Sequence, residues 1–177
     1  MPTLRFSNLL TGLFLFLALG IGFSFRTVTA EWQAFVSEEY ACTVELPAPW
    51  QVDTTTEASG TQRLRLEAES EKHSYLLTFT KYPLSTRLFM RERLAESTRN
   101  SLVAALGGEL QSTSDWKVGE HVGKRALLKD GDREIEYRVV IIGQVQYQFL
   151  VFSKEEKLTN RESKRLFNSF TWVDLKE

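Results

Sequence analysis

The stretch from Ile135 to Phe152 most constrains the fold, because two apolar segments flank the dipeptide Gly143-Gln144 there. Both segments have the period of two that is typical of strands, and Gly-Gln suits a two-residue turn. This predicts a hairpin with Val140 opposite Tyr147 and Tyr137 opposite Leu150. One predicted face carries Ile135, Tyr137, Val139, Ile141, Leu150 and Phe152. The other carries Val140, Ile142, Val145, Tyr147, Phe149 and Val151. Since both faces are apolar, the hairpin is predicted at the centre of a sheet that is covered on both sides.

Three further segments alternate in the same way. The first runs from Tyr40 to Leu46 and ends at Pro47-Ala48-Pro49, after which Trp50-Gln51-Val52 resumes; prolines cannot donate to a sheet ladder. The other two carry the apolar series Leu64, Leu66, Ala68 and Tyr75, Leu77, Phe79. Arg63, Arg65 and Glu67 occupy the opposite face of the former.

A second hairpin is predicted at Lys129-Asp130-Gly131-Asp132, because Asp-Gly tolerates the positive φ of a type I′ turn. A two-residue turn there places Arg125 opposite Glu136.

Two helices are predicted. The longer lies between Ser85 and Leu106 and ends at Gly107-Gly108. Its predicted inward face is Met90, Leu94, Thr98, Ser101 and Ala105. The shorter begins with Thr159 or Asn160 as its cap, has Glu162 in its first turn and Leu166-Phe167 inward, and precedes an edge strand over residues 170–173. With antiparallel strands, this predicts an α+β fold, an α/β/α sandwich with a helix on each face of the sheet.

The N-terminal segment indicates export. Arg5 precedes an apolar run from Leu9 to Phe25, and Val28-Thr29-Ala30 offers small residues before Glu31. Residues 1–30 are therefore predicted as a signal peptide, or alternatively as an uncleaved N-terminal anchor, followed by a single domain over residues 31–177. The predicted location is periplasmic or extracellular, or else membrane-anchored with the domain outside. The membrane would be contacted only through an uncleaved segment.

Charge and cysteine content exclude some classes of function. The chain has 22 basic and 23 acidic residues, so it lacks the excess of positive charge that binding to a nucleic-acid backbone requires. Cys42 is the only cysteine, which rules out an intramolecular disulfide. Its strand context predicts a small buried apolar side chain rather than a reactive thiol.

Both ends of the region from residue 31 onward resemble the PsbP-like family. The entry is similar in Phe35-x-Ser37, the strand from Tyr40 to Leu46, and Pro47-x-Pro49-Trp50. The exit is similar in Gly143, Tyr147-Gln148-Phe149 and Phe167-Asn168-Ser169-Phe170. The family includes an extrinsic subunit of the photosystem II oxygen-evolving complex and many exported bacterial domains. The resemblance implies an α/β/α sandwich and an accessory or binding role rather than an enzymatic one.

The sequence contains no recognisable set of catalytic residues. The two histidines, His73 and His121, are not accompanied by a nucleophile motif, and the single cysteine lies in a strand. The segment from Gly119 to Arg125 resembles a phosphate-binding loop but is one residue short, and Arg125 replaces the hydroxyl that would bind magnesium. We therefore expect no enzyme activity and no cofactor.

Two groups of polar residues remain as weaker candidates. Glu69, Glu71 and His73 would project from one face of an extended segment and could bind a metal, although Ser70-Glu71-Lys72 equally fits a hairpin connection, and no metal is expected. The second group would form a polar ligand or interface cluster, or simple cross-strand ion pairs: Arg125, Glu134, Glu136 and Arg138. Gln146 and Gln148 indicate that the other face of the sheet opens near the Gly143 turn.

These observations predict an exported, non-catalytic accessory domain that binds another envelope or membrane-associated protein, at or near a membrane surface. The alternatives are a metal-dependent or hydrolytic envelope enzyme, and a carrier with an apolar cavity between the sheet and the long helix.

Overall fold

The computed structural model describes residues 31–86, 88, 90–154, 158 and 160–173. The predicted signal or anchor segment (residues 1–30) and the predicted cap Thr159 lie outside them. The described strands are β1 Trp32–Ser37, β2 Cys42–Pro47, β3 Trp50–Thr56, β4 Gln62–Glu69, β5 His73–Lys81, β6 Glu109–Val118, β7 His121–Asp130, β8 Arg133–Ile142, β9 Val145–Ser153 and β10 Thr171–Trp172. The described helices are α1 Arg91–Leu106 and α2 Asn160–Ser169. Neither is long and apolar enough to cross a membrane.

The strands form two antiparallel sheets. The larger has seven strands in the order β3-β4-β5-β9-β8-β7-β6, and the smaller has three in the order β1-β2-β10. The predicted hairpin is confirmed, with Val140 opposite Tyr147 and Tyr137 opposite Leu150, and its strands β8 and β9 are interior strands of the large sheet.

The two predicted faces of the hairpin are confirmed as parts of two separate apolar clusters. Ile135, Tyr137, Val139, Ile141 and Leu150 pack with Ala95 and other side chains of α1. Val140, Ile142, Val145, Tyr147, Phe149 and Val151 pack with side chains of β2, β4, β5 and α2. The strand predicted from Tyr40 to Leu46 corresponds to β2 and belongs to the smaller sheet, which the sequence analysis did not anticipate.

Aromatic rings join the large sheet to Phe167 of α2 and to Phe170, which directly follows α2. Phe149 contacts Phe170 and Trp116, with ring centroids 4.9 and 5.3 Å apart. The buried Tyr147 hydroxyl donates a hydrogen bond of 2.6 Å to the Tyr40 carbonyl oxygen, which satisfies both groups away from water. Phe170 and the backbone at Tyr40 are thereby held over β9 of the large sheet.

Glycine-led turns connect β6, β7, β8 and β9 in succession. Gly119, Gly131 and Gly143 each begin a two-residue turn with φ near 60°, a conformation that a side chain disfavours. The predicted turn at Asp130-Gly131 is wrong, because Asp130 pairs with Arg133 and the turn residues are Gly131 and Asp132. Gly at the first turn position is the type II′ pattern. The register moves by two residues, so Arg125 lies opposite Arg138 rather than Glu136, and every side chain keeps its predicted face.

Part of the predicted inward face of α1 is also wrong. The helix begins at Arg91 and is preceded by Met90, which is 64% exposed and has a left-handed backbone (φ 55°). Ser101 and Ala105 are exposed as well. The residues that face the sheet are Leu94, Ala95, Thr98, Leu102, Val103 and Leu106, because their spacing of three and four residues keeps the larger side chains on one stripe.

Gly123 provides a test of how closely β7 and β8 approach. A Cβ atom at this position would overlap the Val139 carbonyl oxygen and crowd the Val140 side chain. We expect Gly123→Ala to lower the free energy of unfolding by about 2–3 kcal/mol, because backbone has to shift to admit the methyl group. The exposed Ser114→Ala on β6 should change it by less than about 0.5 kcal/mol. Denaturant melts of the two variants test this, and equal stabilities would contradict the proposed close approach.

Candidate functional site

A surface pocket lies where α2 passes the beginning of β1. It has a volume of about 400 Å³ and is lined by Trp32, Arg161, Glu162 and Arg165. Arg161 and Arg165 are four residues apart on α2 and therefore share one side of the helix. Trp32 reaches the pocket as the first residue of β1.

One of the lining side chains, Glu162, is a hydrogen-bonded carboxylate. Glu162 Oε2 accepts hydrogen bonds from His73 Nδ1 at 2.6 Å, Ser70 Oγ at 3.0 Å and the Tyr75 hydroxyl at 3.1 Å. Burial by itself would raise the pKa of Glu162, but the hydrogen bonds from His73, Ser70 and Tyr75 outweigh burial and lower it. The carboxylate therefore stays ionised and ties the first turn of α2 to the hairpin of β4 and β5.

The other three lining residues, Trp32, Arg161 and Arg165, are aromatic or basic and together form what we call the pocket rim. The Arg165 guanidinium lies 4.9 Å from the centroid of the Trp32 ring, and its Nε donates a 2.7 Å hydrogen bond to Glu45. Arg161 is exposed and, within the described part of the chain, forms no hydrogen bond or ion pair. Trp and Arg are the residues most enriched at the energetic centres of protein interfaces.

The predicted metal-binding residues are not brought together. The chain turns after β4, and Ser70 N donates to the His73 carbonyl oxygen to close the turn. Glu69 is exposed and pairs with Lys154 at 2.8 Å, Glu71 is exposed in the turn, and His73 is buried against Glu162. Residues Ser70-Glu71-Lys72 form the hairpin connection that was the alternative to an extended metal-binding segment. Among the described residues no three His, Cys, Asp or Glu side chains could together hold a metal ion.

Sequence reasoning missed the partnership of His73 with Glu162 because 89 residues separate them. One signal was present. His73 shares strand parity with Tyr75, Leu77 and Phe79, which places it on the buried face of β5. A polar ring on such a face needs a partner, and Glu162 in the first turn of the covering helix supplies it.

The predicted polar cluster forms in part. Glu136 Oε1 accepts hydrogen bonds from Arg125 Nε at 2.6 Å and from Arg138 at 2.7 and 2.9 Å. Glu136 is only 4% exposed, and the Arg138 guanidinium also lies 3.7 Å from the centroid of the Phe167 ring. Glu134 lies outside this network and accepts a hydrogen bond from the backbone N–H of Leu158. The three charges therefore bind one another beneath α2.

The predicted opening of the sheet near the Gly143 turn is not present at Gln146, because this side chain is buried. Its side-chain oxygen accepts a 2.9 Å hydrogen bond from the Tyr82 hydroxyl, and that of Gln148 accepts one of 2.8 Å from Tyr137. Cys42 is buried as predicted, and burial raises the pKa of its thiol to about 12, which makes it unreactive at neutral pH.

The fold is similar to that of solved structures over most of its length. The solution structure of cyanobacterial PsbP (CyanoP) from Synechocystis sp. PCC 6803 matches with a TM-score of 0.50 and 16% identity, covering 86% of this chain and 99% of that one. The chain has a PsbP-like fold. The resemblance predicted from the two ends of the sequence is thereby confirmed at the level of fold, with antiparallel sheets and helices in a PsbP-like α+β arrangement.

A crystal structure of a protein from Bacteroides thetaiotaomicron matches with a TM-score of 0.46 and 10% identity, covering 85% of this chain and 51% of that one. No protein-family model matches the sequence, and no curated protein matches it either.

The lowered pKa of Glu162 gives a prediction for stability against pH. A carboxylate whose pKa is lower in the folded state stabilises the fold above its ordinary value of 4.5, and this contribution is lost as the pH falls below that value. We expect Glu162→Gln to cost about 1–2 kcal/mol at pH 7, and the difference from the wild type to shrink below pH 4.5. Urea melts from pH 3 to 7 measure it. Glu45→Gln, which removes the carboxylate that pairs with Arg165, is the control and should lower the free energy of unfolding by less. A difference in stability between Glu162→Gln and the wild type that stays constant with pH would contradict the lowered pKa of Glu162.

The Glu136 network predicts unequal costs for its members. Glu136→Ala leaves two neighbouring guanidinium groups without their shared carboxylate, and it should cost about 3 kcal/mol. Arg125→Ala removes a partner that is 30% exposed, and it should cost about 1 kcal/mol. Thermal melts of both variants test the order; a larger loss for Arg125→Ala would show that Glu136 is not the centre of the network.

Proposed function

We propose that this PsbP-like chain is an exported, non-catalytic accessory domain that binds another envelope or membrane-associated protein. In this proposal residues 1–30 direct export as a signal peptide or remain as an anchor, and residues 31–177 form one domain in the periplasm or outside the cell. We also propose that the domain is an α/β/α sandwich in which α1 and α2 cover opposite faces of the large sheet.

The pocket rim is the observation that carries the proposal. Trp32 and Arg165 stack together, and the exposed Arg161 adds a guanidinium without a partner in the described part of the chain. An aromatic ring beside two arginines offers a partner both apolar contact area and several fixed donors. The pocket is small and open, which suits the insertion of one or two side chains of a protein partner.

The state of the polar groups supports a role without catalysis. The Glu162 carboxylate already accepts three internal hydrogen bonds, and its lowered pKa is the opposite of the raised pKa that a general acid needs near neutral pH. Glu136 is likewise occupied by two arginines. Side chains of α1 and the sheet fill the space between them, which gives no support to a carrier with a cavity there.

The place where the N-terminal segment joins supports a site near a membrane. Glu31 directly precedes Trp32, so the segment 1–30 enters the described domain beside the pocket. If the segment stays in the bilayer, the pocket is held close to the membrane surface and to proteins embedded there.

Site-specific cross-linking tests the proposal. A photoreactive residue at position 161 should form one dominant adduct with an envelope protein in intact cells, and Trp32→Ala in the same chain should remove that adduct without loss of folding. A photoreactive residue at Ser101, exposed on α1, is the matched control. Mass spectrometry identifies the product. The same adducts at both positions, or none at position 161, would contradict the proposal.

A further inference from the structure

The free edges of the two sheets lie in pairs on opposite sides of the molecule. The Phe35 ring of β1 meets the Trp50 ring of β3, with centroids 6.3 Å apart, so these two edge strands lie on one side. His121, which pairs with Val118 at the end of β6, meets Trp172 of β10 at 5.2 Å. The edges β6 and β10 therefore lie together on the other side.

The side formed by β6 and β10 is protected against pairing with another strand. β10 has only two residues. β6 contains a bulge between Leu110 and Ser112 and carries Glu109, Asp115 and Lys117. Short strands, bulges and charges are the usual means by which edge strands avoid edge-to-edge association.

The side formed by β1 and β3 has fewer of these protections, with one charged residue and no bulge in either strand. The seven residues of β3 pair with β4 in an unbroken register, and Asp53 is the only charged residue among them. β1 has six residues and no charge. Two valines on this side are largely exposed, Val36 at 64% and Val52 at 51%. These two unbroken edges, with a single charge and exposed apolar side chains, form a surface that can accept another strand.

We propose that the β3 edge pairs with the β3 edge of a second copy of this chain, antiparallel and centred on Val52. The two large sheets then become one continuous sheet around a two-fold axis. This symmetry requires residues on the same face to lie opposite each other. Val52 packs on Val52, Gln51 lies opposite Asp53, and Trp50 lies opposite Thr54.

The side chains of β3 favour this register over its neighbours. Centring the pair on Asp53 would oppose two carboxylates, which is destabilising. Centring it on Thr54 would leave the apolar Val52 opposite Thr56. In the proposed register the Gln51 amide can donate to the Asp53 carboxylate, which has no hydrogen bond or ion pair among the described residues. The side chains of one β3 strand therefore complement those of a second β3 strand in this register.

The proposed dimer should depend on concentration, because one pair of edge strands and its immediate surroundings bury less area than an obligate interface does. The inference is independent of the proposed partner protein, since the pocket of Trp32 and Arg161 contributes nothing to it.

Disulfide trapping in the purified full chain tests the pairing. Opposed residues at the centre of an antiparallel pair have Cβ atoms close enough for a disulfide, whereas residues set apart along the strand do not. We expect Val52→Cys to form a covalent dimer under mild oxidation. Leu110→Cys, 47% exposed on the bulged edge β6, is the matched control and should stay monomeric, and so should Thr54→Cys. The native Cys42 is buried.

Sedimentation velocity supplies a second readout that needs no oxidation. The wild type should shift from monomer towards dimer as its concentration rises, Val52→Lys should remain monomeric, and Leu110→Lys should behave as the wild type. A wild type that stays monomeric at all concentrations, equal trapping at positions 52 and 110, or a Val52→Cys adduct with a different protein would each overturn the proposal.

Discussion

Burial of the β8–β9 hairpin on both faces is the constraint on which the rest of the structure depends. One apolar face requires α1, and the other requires the small sheet and α2. Among the described residues the small sheet and α2 share one apolar cluster with the large sheet: β2 of the small sheet, Leu166 and Phe167 of α2, and Phe170 just after α2 all belong to it. The arrangement therefore follows from where apolar surface must be removed from water.

The features that could be predicted from the sequence are those set by local chemistry. The faces of β8 and β9 follow from the period of two and from Gly143, and both clusters confirm them. The β7–β8 register could not be fixed, because Asp130-Gly131 and Gly131-Asp132 are both acceptable turns and the choice moves no side chain to the other face. The separation into two sheets was not predictable either, because the strand from Tyr40 to Leu46 alternates in the same way whichever sheet it joins.

The candidate site was less accessible to sequence reasoning. Its polar centre depends on contacts across the domain, such as His73 with Glu162, and no pattern in one segment reports the other. The charged residues of β7 and β8 were recognised as a group, and three of the four meet in one network. The sequence could not show that these charged groups bind one another and not an external ligand. Both arginines pair with Glu136, and Phe167 of α2 lies against Arg138. The ionic groups around Glu136 thus link α2 to the large sheet through the contact of Arg138 with Phe167.

Native-state hydrogen exchange tests the central claim most directly. If β8 and β9 are covered on both faces, their amides should exchange only through global unfolding, with protection equal to the full free energy of unfolding, while amides of the exposed edge β3 should exchange through smaller, local openings. Exchange of the β8 and β9 amides as fast as that of β3 would show that one covering layer opens freely, and it would contradict this account of the fold.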